Sequence, residues 1–208
     1  MRTRVKICGI TRIEDARAAA AAGADAIGLV FHPGSPRVVD IDQAVGLCRA
    51  LPPFVSVVAL FVNERPQRIR DVLAAVPVDL LQFHGSERAD QCEGFGRPYI
   101  KAIAMKEGVD VEASLAQHPR AAGFLFDAWL PDLHGGGGVT FDWSRMPALV
   151  DRPAILAGGL DPDNVAEAIQ RTRPWAVDVS SGVEQDKGIK SAGRIEAFMR
   201  GVRRGDSM

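Results

Sequence analysis

The sequence predicts an α/β protein, a single (β/α)8 barrel with a phosphate site after strands 7 and 8. Three observations carry that reading. Short β-rich runs recur eight times in 208 residues, a spacing of about 26 residues if the length is divided by eight. Stretches with apolar residues at helical spacing lie between them. Runs such as "AIGLVF" and "VSVVALFV" are apolar nearly throughout, as expected of parallel strands covered by helices on one face and packed inward on the other. The length is at the low end for such a barrel, and a doubly wound open sheet is the competing architecture. With no linker, low-complexity segment or composition break, residues 1–208 read as one catalytic domain.

In chain order, the strands are expected over 4–8, 25–31, 55–62, 79–83, 98–102, 122–127, 153–157 and 175–179. The helical patterns are "IEDARAAAAAGA", "QAVGLCRAL", "RPQRIRDVLAAV", "FDWSRMPALV", "DPDNVAEAIQRT" and "SAGRIEAFMRGV", with a less regular stretch around 109–118. Two helix starts carry local signals. Thr11 and Glu14 have capping-box spacing, in which each side chain satisfies the other residue's exposed backbone N–H. Asp161 before Pro162 places a cap ahead of a residue whose missing N–H is no loss in a first turn.

Charge and cysteine content narrow the function. A formal net charge of −1 without a block of like charges argues against nucleic acid or an anionic membrane as partner. The start "MRTRVKICG" has neither an apolar core nor a cleavage site for export. The longest apolar run, 54–62 with one serine, falls well short of the roughly 20 residues that span a bilayer. Three cysteines, at 8, 48 and 92, form no C-x-x-C pair and suit a reducing compartment, so a cytoplasmic location is expected.

In a barrel, the strand C-termini and the loops after them form one catalytic face. Strand 1 ends at Cys8, which is either a packed thiol or a chemical group whose ionisation a following helix N-terminus or a nearby cation would favour. Cys48 and Cys92 fall inside helical patterns and read as packing residues. Arg37 ends the loop "FHPGSPR", where its planar fork can take a carboxylate by two parallel hydrogen bonds or simply face solvent. In "DLLQFHGSE", alternation puts Gln82 and His84 on one face of strand 4, although His84 before Gly85 also fits a turn. Strand 6 stops abruptly at Asp127, a proton donor if burial keeps it protonated, otherwise a loop or capping carboxylate. The glycine run 135–138 reads as a lid or a flexible crossing. After strands 7 and 8, Gly158, Gly159, Ser180, Ser181 and Gly182 would present backbone N–H groups to a phosphate, where a Cβ would block close approach.

The segments "KICGIT", "IGLVFHPGSPR", "VALFVN", "LLQFHG", "TFDWS", "LAGGLDPDNV" and "DVSSGVE" span nearly the whole chain and resemble the phosphoribosylanthranilate isomerase family of tryptophan biosynthesis. That resemblance implies Cys8 as general base and Asp127 as general acid, with Arg37 on the anthranilate part of the substrate. It implies that the 158–159 and 180–182 turns hold the phosphate, and that Gln82, His84 and Asp178 line the site. It also implies a small phosphorylated substrate and neither metal nor organic cofactor; monomer and homodimer are both compatible. Two segments depart from the family pattern. "GGGGV" lacks the hydroxyl and lysine common after strand 6, and "DKGIKSAGRI" stands for a "PGxKD"-like stretch. The implied reaction, an Amadori rearrangement, needs one acid to open the sugar ring and one base to take a carbon-bound proton. The rival readings are a sugar-phosphate isomerase of histidine biosynthesis, in which an aspartate is expected at the place of Cys8, and a phosphate-binding module without turnover.

Overall fold

A computed structural model describes residues 2–128, 140–147 and 152–207. Eight parallel strands close on themselves: β1 (Arg4–Cys8), β2 (Ala26–Val30), β3 (Ser56–Phe61), β4 (Leu80–Phe83), β5 (Tyr99–Ala104), β6 (Gly123–Asp127), β7 (Ala154–Leu156) and β8 (Ala176–Val179). Closure comes from β1, whose Lys6 is in register with Ala26 of β2 and with Asp178 of β8. An open sheet would leave two edges bare, and here neither exists.

The crossings carry α1 (Ile13–Ala22), α2 (Ile41–Arg49), α3 (Pro66–Ala75), α4 (Ala89–Cys92), α5 (Val111–Ala116), α6 (Val165–Thr172) and α7 (Ala192–Asp206). Strand residues alternate between two apolar layers. Ile7, Ile27, Ala59, Phe83, Phe126 and Val177 belong to the large core between sheet and helices. Ile100, Ala102, Leu125, Ile155, Ala157 and Ala176 pack inside the barrel, with Cys8, Val30, Leu60 and Val62 forming a second interior cluster. The same alternation carries Lys6, Gln82, Asp127 and Asp178 inward, so the barrel holds a polar layer near its C-terminal mouth. No helix of the described residues is long and apolar enough to cross a membrane.

Local signals at helix ends meet mixed outcomes. Asp40, Asp110 and Ser191 cap α2, α5 and α7 through hydrogen bonds from Gln43, Ala113 and Arg194 N–H. The Thr11–Glu14 box does not form: Arg12 is the extended residue before α1, and the Thr11 hydroxyl donates to the Gly188 carbonyl instead. Thr11 stands one residue before the N-cap position, out of register for the box. Asp161 accepts from Asp163 and Asn164 N–H, but this closes a turn ahead of α6, whose start lies at Val165. In the stretch 141–150, the described residues make only a 3-10 turn at Trp143–Arg145; residues 148–150 and the glycine run 135–138 lie outside the described residues.

One element has no counterpart in the sequence reading. After β8, a 3-10 turn (Ser181–Val183) leads into a small antiparallel hairpin, β9 (Glu184–Asp186) and β10 (Ile189–Lys190). Gly188 sits there at φ +77° beside the Pro36 carbonyl, which ties the hairpin to the loop after β2.

Candidate active site

The mouth of the barrel brings together side chains from β1, the β2 loop, β4, β6, β8 and the hairpin. On β4, Gln82 is fully buried and its Nε2 lies 2.9 Å from His84 Nδ1. The other ring nitrogen, Nε2, lies 3.0 Å from Asp127 Oδ2 on β6. With the amide donating, Nδ1 accepts, and Nε2–H donates to the carboxylate. His84, one residue past the end of β4 and just before the bend at Gly85, links a buried amide and a buried acid.

Arg37 does not face solvent. Its Nε and Nη2 donate to the two carboxylate oxygens of Glu184 at 2.7 and 2.8 Å, a buried bidentate pair. That hydrogen bonding raises the guanidinium pKa despite burial, and the same bond together with Lys190 holds Glu184 below the usual carboxylate range, against a burial effect that would raise it. Arg37 reaches the mouth by passing over Gly9, at φ +74°. A Cβ there would collide with the Arg37 side chain, so glycine is required for space as well as conformation. The Nη1 edge of the fork stays outside the Glu184 pair.

Lys190 places its buried ammonium 2.8 Å from Glu184 Oε1 and 3.1 Å from the Ser180 carbonyl. The turns after β7 and β8 adjoin. Gly158 and Gly159 have φ of +81° and +61°, and a Cβ on Gly158 would lie 2.9 Å from Asp127 Oδ1. A Cβ on Gly182 would run into the Leu160 carbonyl oxygen. These glycines let two loops and a strand end close on one another, with Ser180 and Ser181 leading into the 3-10 turn.

Cys8 is buried at the end of β1. One expectation needs correction here. The following helix does not begin behind Gly9 but at Ile13, and the thiol pKa is raised by burial rather than lowered. What opposes burial is charge, first of all the Lys6 ammonium on the same face of β1. Lys6 pairs with Asp178 at 2.9 Å, and that carboxylate, with the thiol, keeps its pKa above normal although burial works against the charge. Cys48 and Cys92 have thiols pushed up by burial to about 11 and about 12, as packed side chains do.

The structure thus joins Gln82, His84 and Asp127 in one hydrogen-bonded chain, pairs Asp178 with Lys6, and pairs Arg37 with Glu184. Lys6, Glu184 and Lys190 escaped the sequence reading. Lys6 carried a signal, since it stands two residues before Cys8 in an inward-facing strand. Glu184 and Lys190 stand in the quoted segments "DVSSGVE" and "DKGIKSAGRI", but no local pattern names their partners, which the hairpin sets.

A family model described as N-(5'-phosphoribosyl)anthranilate (PRA) isomerase matches residues 5–201. The chain is 58% identical over 200 residues to the N-(5'-phosphoribosyl)anthranilate isomerase of Pseudomonas aeruginosa (strain UCBPP-PA14), covering 96% of this chain and 95% of that one. Against the Pseudomonas fluorescens protein of the same name, identity is 59% over 201 residues, with 97% and 96% covered. The fold is similar to the crystal structure of phosphoribosyl anthranilate isomerase from Thermotoga maritima, with TM-score 0.88, 40% identity and 99% and 100% of the chains covered. It is also similar to a phosphoribosyl anthranilate isomerase solved with reduced 1-(o-carboxyphenylamino)-1-deoxyribulose 5-phosphate, with TM-score 0.85, 39% identity and 97% and 98% covered.

Proposed function

The chain belongs to the N-(5'-phosphoribosyl)anthranilate isomerase family, and from that premise we propose how its own residues divide the work. It catalyses the Amadori rearrangement of N-(5'-phosphoribosyl)anthranilate to 1-(2-carboxyphenylamino)-1-deoxyribulose 5-phosphate in tryptophan biosynthesis. The observation that carries the division of labour is a buried carboxyl group and a buried thiol at the ends of β6 and β1, in one barrel mouth.

Asp127 protonates the furanose ring oxygen, and the sugar opens to a protonated Schiff base. His84 Nε2–H occupies Oδ2, which assigns the mobile proton to Oδ1 and holds the carboxylate once that proton has left. The cationic C=N acidifies the C2′ proton, and the Cys8 thiolate removes it. The resulting enolamine tautomerises to the ketone. Orientation comes from both ends of the substrate, and such positioning is worth as much as the acid–base steps. The turns containing Gly158, Gly159, Ser180, Ser181 and Gly182 take the phosphate, and the Nη1 edge of Arg37 takes the anthranilate carboxylate, with Glu184 fixing the fork from its other side. One catalytic domain, working in the cytoplasm where its three free cysteines stay reduced, accounts for the sequence.

The reading is tested by the loss of anthranilate-type fluorescence when purified protein meets phosphoribosylanthranilate generated in the cuvette. Enzyme-dependent decay with the aminoketose phosphate as product is expected; decay at the spontaneous rate from folded protein would refute it. Two variants probe the substrate's ends. Arg37→Ala removes the charge-assisted contact of the Nη1 edge and is expected to raise KM about 10- to 100-fold with a smaller change in kcat. Steady-state kinetics with KM unchanged would remove Arg37 from the carboxylate. Gly182→Ala forces the β7 and β8 loops apart, so inhibition by inorganic phosphate should weaken by at least about tenfold, with a stability loss of about 1–3 kcal/mol. Unaltered phosphate inhibition would place the phosphate elsewhere.

A further inference from the structure

We infer that Lys6 is the positioning residue that makes Cys8 a base: its buried ammonium, anchored by Asp178 and sharing with the thiol the space above Gly28, holds the thiolate. This rests on the assignment of Cys8 as the proton acceptor and adds the group that lets it ionise in a closed site.

The geometry starts from strand register. Lys6 and Cys8 are two apart on β1, so both point into the barrel, and Cys8 is in register with Gly28 of β2. A Cβ on Gly28 would lie 2.7 Å from Cys8 Sγ and 3.0 Å from Lys6 Nζ. The missing side chain of β2 is therefore the volume in which thiol and ammonium meet. Lys6 is held there by Asp178 Oδ1 at 2.9 Å, both side chains being less than a tenth exposed. The remaining neighbours on β2 and β3, Val30, Leu60 and Val62, are apolar and offer the thiol no partner.

Charge balance points the same way. The ionic groups around the thiol are Lys6 on β1, Asp178 on β8, Arg37 after β2, and Glu184 and Lys190 in the hairpin. Three are cations, although burial lowers the pKa of Lys190, and two are carboxylates, so the set as a whole favours negative charge at Cys8. Burial is the largest influence on the thiol and pushes its pKa up; the Lys6 ammonium is the largest influence against it, and Asp178 opposes Lys6. A thiol buried among apolar groups alone would stay protonated and inert.

The test is the pH dependence of Cys8 alkylation by iodoacetamide in the full-length protein, followed on the Cys8 peptide by mass spectrometry, beside the pH profile of kcat/KM. Cys8 must lose its proton to act, so a higher thiol pKa moves the acidic limb of that profile to higher pH. Lys6→Met is expected to move the Cys8 midpoint, and that limb, upward by more than about one pH unit. Lys6→Arg should restore most of the shift. Asp178→Asn removes a carboxylate beside the thiol and should move the midpoint down. A purely structural role would move both substitutions in the same direction, and that result overturns the inference, as does a Lys6→Met midpoint equal to the parent's. If Lys6→Met fails to fold, Lys6→Gln decides: an upward shift supports the inference and an unchanged or downward one overturns it. Failure of the underlying assignment looks different, because Cys8→Ser would then retain parental turnover whatever the alkylation midpoints do.

Discussion

Asp127→Asn is expected to lower kcat by about 10²- to 10⁴-fold while KM stays within a few-fold of the parent. An amide has the same shape as the carboxyl group and still offers an oxygen to His84 Nε2–H, so the chain from Gln82 through His84 survives. What the amide lacks is an acidic proton for the ring oxygen. Because ring opening is the first chemical step, the loss falls on kcat and kcat/KM together, as for an interaction used in the transition state. Steady-state turnover with the fluorescent substrate measures it. A variant within about threefold of the parent would show that ring opening draws its proton from another group, since loss of a true general acid is far larger.

Cys8→Ala is expected to be of similar size, about 10² to 10⁴ in kcat, with substrate still bound. The side chain is small and buried, and its removal leaves Lys6 still paired with Asp178. In the proposed site, binding rests on the phosphate turns and on Arg37, whose anchor is Glu184 rather than the thiol. The two variants should therefore share a phenotype, bound but unconverted substrate, while failing at different steps. Asp127→Asn leaves the sugar closed, whereas Cys8→Ala leaves an open-ring Schiff base. Parental kcat in Cys8→Ala would remove the thiol from the reaction.

Much of the architecture was legible from local patterns. β1 runs over the expected residues 4–8, and the other seven strands fall within one or two residues of their expected limits. Strands covered on both faces have to be apolar throughout, and few other structures tolerate such short runs. Asp127 and Cys8 were visible for the same reason, as polar or reactive groups ending apolar strands. Helix ends were less legible. Thr11 and Glu14 have the right spacing, yet the Thr11 hydroxyl goes to Gly188, 177 residues away. The helix α1 starts one residue later than that spacing requires, with Arg12 as its extended N-cap, so Thr11 falls outside the capping position.

The sequence by itself determined the order of strands and helices and the residues that end the strands, while closure into a barrel rather than an open sheet came from the pairing of β1 with β8. Element order and strand ends follow from periodicity and from the apolar runs that double coverage demands, both of which are properties of neighbouring residues. Only the tertiary structure decided the charges. Lys6 meets Asp178 across 172 residues and Arg37 meets Glu184 across 147. No local pattern records which buried cation will face which carboxylate, because that pairing is set when β1 closes against β8 and the hairpin folds over Arg37. Desolvation then makes each unpaired charge expensive, so the geometry of closure, rather than any motif, determines the electrostatic surroundings of Cys8.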